Sequence, residues 1–394
     1  MWLERLLLMT PRQRLSTSLE TNGVGAWLGR LLLMPSRHRL STSLETNGGW
    51  VWPVRLLRVP PRQRLSTSLE MSGVGVWLVR LLLAFLLLPL AACATVPSEA
   101  PQATKRIALT FDDVPRGPGA FLTQEERTDR LIAALKGARV RQAAFFVNPG
   151  NIADPGRAGA EARIARYVRA GHVLANHSFT HPHLNATSAA DYLANIDQAE
   201  AWLKGREGRR PWFRFPFLDE GGADKIKRDA IRAGLAQRGL KNGYVTVDAS
   251  DWNMEALAIE AKAAGKTIDM DALRDLYVES HVQAAEFYDG LARRTLSRSP
   301  AHVMLLHETD LAAFWIDDMV AALRRAGWEI VSADEAFADP VSALMPDVPS
   351  AQGTLTEALA WEKGLPAPRW YERNTISLAN RLFATRVLKE TPAQ

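Results

Sequence analysis

Cysteine occurs once in 394 residues, at Cys93. That count excludes an intrachain disulfide framework and any multi-cysteine zinc module, so a metal would have to be held by histidines and carboxylates. Net charge is nearly as scarce: 48 Lys+Arg against 43 Asp+Glu leave +5. Residues 1–70 contain ten Arg, no Lys and four Glu, so the rest of the chain carries −1. No stripe of basic residues interleaved with aromatics follows, and no nucleic-acid partner is expected. The apolar run 81–88 is too short for a comfortable membrane span. What is present, 47% hydrophobic and 23% charged residues, is the balance of a globular protein of one large domain or two smaller ones.

The heptapeptide Arg-Leu-Ser-Thr-Ser-Leu-Glu occurs at 14–20, 39–45 and 64–70, a spacing of 25 residues. A solenoid repeats a tolerant pattern of apolar positions, whereas these copies repeat polar residues almost letter for letter. Residues 1–70 therefore read as a repetitive upstream tract outside the mature protein. From Met71 the chain reads as an export signal: Arg80, the run 81–88, then small residues up to Cys93. The end of that segment, Leu90-Ala91-Ala92-Cys93, resembles the lipobox of bacterial lipoproteins. The resemblance implies a signal peptide over 71–93 and lipidation of Cys93. The protein would then sit on the periplasmic side of the bacterial envelope, tethered to a membrane without spanning it. An ordinary signal or a buried thiol is the plainer alternative. Residues 94–104 read as a linker.

From 105 onward, short β-rich apolar runs alternate with helical patterns. The strand candidates are 106–111, 143–147, 172–176, 212–216, 244–248, 302–307 and 329–332. Amphipathic stretches fall at 125–136, 160–170, 189–204, 223–239 and 316–326. Seven such units predict an α/β fold with a parallel sheet closed into a barrel, one unit short of eight.

The reactive residues fall at the carboxyl ends of the strand candidates, which in parallel folds converge on one rim. Asp112 and Asp113 end the first, His177 and His181 follow the third, and Arg214 lies in the fourth. Asp248 and Asp251 end the fifth, and His307 ends the sixth. The spacing of His177 and His181 suits two imidazoles on one side of a helical turn sharing a divalent ion, with a carboxylate such as Asp113 completing the set. It equally suits two surface histidines, with His183 a bystander. Paired aspartates at a strand end can divide the work, one binding metal and the other taking a proton from water, or can simply cap a helix. A carboxylate near 251 bonded to His307 would raise the imidazole's pKa, and a satisfied polar pair at the rim would look the same.

Taken in order, Thr-Phe-Asp-Asp, His-Ser-Phe-Thr-His-Pro, Arg-Phe-Pro-Phe, Asp-Ala-Ser-Asp-Trp and Leu-Leu-His resemble the motifs of the polysaccharide deacetylases, the NodB-homology or carbohydrate esterase family 4 group. The resemblance spans 106–337. It implies a distorted (β/α)7 barrel over 105–338, with a helical insertion between strands 5 and 6 and an extension over 339–394 packing on the barrel. It implies a metal-dependent hydrolase removing acetyl groups from the sugars of an acetylated glycan. By matching positions, Asp112 would be the base, Asp113, His177 and His181 the metal ligands, and His307 the acid. Asp251 would tune His307 and Arg214 would hold Asp112. Trp252 and Leu305 would line the acetyl pocket, and the Phe217 backbone N–H would help stabilise the oxyanion. Zn²⁺ is the default metal for such a mixed donor set, ahead of Co²⁺, Ni²⁺ or Mn²⁺. No protein partner can be inferred.

The chain departs from the family pattern at Val114, where Gly is common, at Phe217, where Tyr is usual, and at Glu308, where Asp is commoner. None of these removes a reacting group. The 55 residues between Asp251 and His307 carry a helical stretch, 270–296, that suits a groove wall or a plain helical hairpin. In the tail, Trp361, Leu365, Trp370, Leu378 and Leu382 read as core contacts rather than a sugar platform. O-deacetylation by the same machinery, cyclic amide hydrolysis, and a non-catalytic glycan-binding envelope lipoprotein are the competing functions. The full metal set counts against the amide hydrolase, and the retention of Asp112 and His307 counts against the binder.

Overall fold

The computed structural model describes residues 104–391. The repeats, the segment expected to be an export signal, and Cys93 lie outside them. No helix among the described residues is long and apolar enough to cross a membrane.

The central strand β1 (Lys105–Val114) is the run KRIALTFDDV. Along one edge it pairs in parallel with β7 (Ala301–His307), from Arg106 opposite Ala301 to Asp112 opposite His307. Its other edge is shared by β8 (Trp328–Ile330) near the start and β2 (Ala144–Val147) near the end. Beyond β2 follow β3 (Val173–Asn176), β4 (Arg209–Phe213) and the short β6 (Lys241–Asn242), all parallel. A small antiparallel pair, β5 (Asp219–Gly222) with β9 (Ala351–Gln352), lies apart.

The sheet closes through the segment after β6. Gly243 N–H still donates to Phe213 O of β4, while Thr246 N–H donates to Val303 O of β7 and Leu305 N–H of β7 donates back to Val247 O, around a bridge from Val247 to Met304. The chain from 241 to 248 thus joins both edges and completes the expected barrel. It is not the regular strand expected over 244–248, because its carbonyls bond elsewhere. Val245 O accepts from Leu355 N, Thr246 O from Thr356 Oγ1 and Asp248 O from Asn374 Nδ2, all in the C-terminal extension. The fourth strand is also displaced, to 209–213 rather than 212–216. At Arg214 the backbone N–H still reaches Asn176 O, but Pro216 brings no donor to carry the ladder on.

Side-chain alternation sorts this ring into two cores. Ile107, Leu109, Phe111, Phe145, Val147, Met304 and Leu306 face outward beneath the helices, with Phe145 stacked between Phe111 and Tyr167. Ala108, Ala144, Phe146, Ala175, Trp212, Ala301 and Val303 face inward, against Phe337. Continuing the inward parity along each strand brings Thr110 and Asp112 of β1, Leu305 and His307 of β7, His177 after β3 and Arg214 after β4 to the same mouth.

The helices are α1 (Gln124–Gly137), α2 (Ala160–Arg169), α3 (Ala189–Leu203), α4 (Lys225–Gln237), α5 (Asp251–Ala263), α6 (Met270–Leu296), α7 (Asp310–Arg325), α8 (Ala333–Phe337), α9 (Leu355–Glu362) and α10 (Ile376–Leu382). Helix α7 begins six residues before the expected 316. Thr309 caps it, its Oγ1 accepting from Ala312 N–H, and the Glu255 carboxyl of α5 takes the Asp310 and Leu311 N–H groups. The expected start at 316 falls just after a kink at Trp315 (φ −133) inside the helix. The extension contributes Ala360, Tyr371, Phe383 and Val387 to the outer core. Trp361 and Trp370, expected to be core contacts, point outward, and Leu365 and Leu382 are partly buried against that core.

Candidate active site

Asp112 and Asp113 reach the same cavity although adjacent side chains on a strand diverge. Asp113 has φ +62, at a register shift between Phe111 and Val114, and this turn redirects its carboxylate. His177 and His181 meet through a loop with left-handed Ser178 and His181, not through the helical turn that their spacing suggests. That loop is pinned from outside: Asn148 Nδ2 donates to the carbonyls of His177 and Ser178, and Asn195 Oδ1 accepts from Phe179 and Thr180 N–H.

Three donor atoms converge from these segments. Asp113 Oδ1 lies 3.0 Å from His181 Nε2 and 3.5 Å from His177 Nε2, and the three residues form a group with ligand atoms all within 4.8 Å of one another. Asp113 Oδ1 is buried and has no hydrogen-bond partner. His177 Nδ1 sits 3.0 Å from Arg214 O, so its proton belongs on Nδ1 and its Nε2 lone pair faces Asp113. Crowded electron-pair donors with no hydrogen bond between them fit a divalent cation, and the carbonyl behind His177 is the outer support that such ligands usually have. Burial opposes ionisation of Asp113, but His181, His177 and His307 outweigh it and hold its carboxyl well below the ordinary value.

Asp112 is fixed from below. Arg214 Nη1 donates to Asp112 Oδ1 at 2.6 Å and to Thr110 Oγ1 at 2.8 Å. Its Nε donates to Gly243 O, and its guanidinium lies 3.8 Å from the centre of the Phe146 ring. Arg214 is fully buried, and no solvent competes for the pair. The other Asp112 oxygen faces His177 Nε2 at 3.7 Å.

His307 stands beside Asp112 in register on β7. Asp251 grips it twice: Oδ1 lies 2.7 Å from His307 Nδ1, and Oδ2 accepts from the His307 backbone N–H at 2.8 Å. Asp251 was expected at the end of a strand, yet it is the first residue of α5, after left-handed Ser250. Burial works against a charged imidazole at 307, but Asp251, helped by Asp113, outweighs it and raises the His307 pKa. The same ion pair outweighs burial at Asp251 and lowers its pKa. Nε2 of His307 then points toward the donors, 3.9 Å from Asp113 Oδ2.

Around the mouth, Phe217 is left-handed at φ +58 and about half exposed, Trp252 at the start of α5 is 38% exposed, and Leu305 is buried on β7. His183 lies outside the donor group, and its ring stacks on Phe217 at 3.5 Å and 8°. Asp248, beneath the mouth, has its pKa pushed up to about 6 by burial.

Sequence reasoning missed two further groups. Arg116 Nη1 donates to Asp113 Oδ2 at 3.0 Å, opposite the oxygen that faces the histidines. Glu308, noted only as a departure, accepts from Arg116 N and from the buried Tyr167 hydroxyl. The one signal for either was adjacency to a motif.

Residues 99–238 match the family model described as polysaccharide deacetylase. A chitin deacetylase of Colletotrichum lindemuthianum is 37% identical over 114 residues, covering 28% of this chain and 42% of that protein. A peptidoglycan-N-acetylglucosamine deacetylase of Listeria monocytogenes is 26% identical over 248 residues, covering 61% of this chain and 41% of that protein. The matches therefore span less than half the length of these relatives. The solved structure of the Colletotrichum lindemuthianum chitin deacetylase aligns with a TM-score of 0.41 at 22% identity, covering 61% of this chain and 89% of that one.

Proposed function

We propose that this chain, whose residues 99–238 match the polysaccharide deacetylase model, is a hydrolase that removes acetyl groups from N-acetylated sugars of a polysaccharide or oligosaccharide. Chitooligosaccharide and peptidoglycan-type glycans are the substrates meant. The observation that carries the reading is the register pairing of Asp112 with His307 on β1 and β7, beside the donors of Asp113, His177 and His181.

Those three side chains would hold a divalent cation, Zn²⁺ by preference for mixed imidazole and carboxylate donors. When bound, such an ion polarises an acyl carbonyl and lowers the pKa of water. Asp112, locked by Arg214 with one oxygen free, takes the proton of the attacking water. The Phe217 backbone N–H donates to the oxygen that gains charge, and Trp252 and Leu305 enclose the methyl group. His307, kept protonated and oriented by Asp251, passes its Nε2 proton to the departing nitrogen. Acetate and a free amino sugar result, with one water consumed. The lipobox-like run ending at Cys93 supports an envelope location with a lipid tether.

The test is acetate release by the purified protein from chitooligosaccharides, N-acetylated peptidoglycan and acetylated xylan, with and without chelator. Release from the first two, abolished by chelator and restored by Zn²⁺, is expected. Turnover of acetylated xylan alone would replace N- by O-deacetylation, and no release from any of them would overturn the reading.

A further inference from the structure

We infer that Asn374, in the C-terminal extension and outside the residues matched by the family model, is a positioning residue for the His307 acid. The inference rests on the role given to His307 above.

The turn that delivers Asp251 is short and strained. Asp248 Oδ1 accepts from Ser250 N at 2.8 Å, Ser250 stands at φ +51, and Asp251 follows as the first residue of α5. A β-substituted residue in that region costs about 1–3 kcal/mol, so the surroundings must hold it. Among the described residues, one side-chain amide bonds to it from the extension. Asn374 Nδ2 donates to Asp248 O at 3.1 Å and Ser250 Oγ donates to Asn374 Oδ1 at 3.1 Å, so the side chain bridges the two ends of the turn.

Asn374 is itself anchored. Its Nδ2 reaches the Tyr288 hydroxyl of α6 at 3.3 Å, and its backbone N–H donates to Tyr371 O. Tyr371 belongs to the outer core. A second amide contact, Asn253 Nδ2 to Asn380 Oδ1 at 3.0 Å, fixes the first turn of α5 to α10. The extension is thereby continuous, through the 248–250 turn, with the carboxylate that grips both the ring and the backbone N–H of His307. Loss of the bridge lets Asp251 drift and the imidazole swing. Proton delivery to the leaving group suffers, while the mouth that binds sugar and the three metal donors, on other segments, do not.

The experiment compares Asn374→Ala, the milder Ser250→Ala, Asp251→Asn and the Asn374→Ala/Asp251→Asn double variant in the full chain. Asn374→Ala is expected to lower kcat about tenfold, with KM and Zn²⁺ affinity unchanged. Ser250→Ala should move kcat the same way by less. Because Asn374 acts through Asp251, the double variant should be no slower than Asp251→Asn alone. The downfield proton resonance of His307 Nδ1, which needs no turnover, should shift or broaden in Asn374→Ala. If Asp251→Asn slows turnover but Asn374→Ala leaves both kcat and that resonance unchanged, the positioning role is wrong and the function stands. Equal additive losses in the double variant would likewise overturn it. If Asp251→Asn leaves turnover intact, the assignment of the acid fails first and this inference with it.

Discussion

Six non-glycine residues with left-handed backbone, Asp113, Ser178, His181, Phe217, Leu218 and Ser250, lie in the segments that build the mouth. Backbone strain of this kind persists where surrounding contacts over-determine it, and it collects at functional sites. It aims side chains that alternation alone would send apart. Asn in place of Asp112 or Ala in place of His307 is expected to cut acetate release by about 10²- to 10⁴-fold with the fold unchanged by circular dichroism. Arg116 offers a subtler case. It holds the outer oxygen of Asp113 and so points the inner one at the histidines. Arg116→Gln should weaken Zn²⁺ binding by about 10- to 100-fold in a metal-competition titration, as losses of supporting contacts do; unchanged affinity would show the guanidinium to be incidental. At this scale the convergence of Asp112, Asp113, His177, His181 and His307 on one mouth was legible, because strand-end placement alone brings such side chains to one rim. The contacts of Arg116 and Asn374 were not, because an arginine or an asparagine outside a motif has no signature until its neighbours are known.

Strands and helices were legible where one face alternates cleanly, as in β1 and β7, and blurred where a distant partner decides. The segment 244–248 has a strand's apolar content, yet Leu355, Thr356 and Asn374 take its carbonyls. Helix α7 starts at Asp310 behind a Thr309 cap, with Glu255, 55 residues upstream, taking its first N–H, and a kink at Trp315 sets that first turn apart from the amphipathic stretch at 316–326. The tail was expected to pack through Trp361 and Trp370, but burial falls on Tyr371, Phe383 and Val387. An amphipathic stretch fixes that one face is apolar without fixing which side the rest of the protein offers. Phe383 is 2% exposed in the outer core, so Phe383→Ala should destabilise the protein by about 3–5 kcal/mol, read as a lower urea midpoint at unchanged slope. A change under about 0.5 kcal/mol would mean that the extension is only loosely attached.

For the molecule as a whole, a barrel was foreseeable from seven alternating units, whereas its closure by a broken strand braced by the extension was not. Whole-molecule stability also depends on charges that the fold keeps out of water. His172, just before β3, is held neutral: burial lowers its pKa to about 4, and its Nδ1 accepts from Ala143 N–H. In the unfolded chain the same group titrates near 6.5. Between those values the unfolded state binds the extra proton, so stability is complete above about pH 6.5 and falls as pH drops toward 4, by up to about 3 kcal/mol. Glu255 and Glu357, both pushed up to about 7 by burial, act in the opposite sense: the folded state keeps their protons, and stability falls as pH rises through 4.5 to 7. A stability curve of the parent therefore mixes both signs, and the difference between two proteins isolates one. Against His172→Gln, whose amide oxygen can accept the same bond, the parent should lose more stability between pH 7 and pH 4.5 in urea titrations. Parallel curves would mean that the imidazole is protonated inside the fold or reached by water.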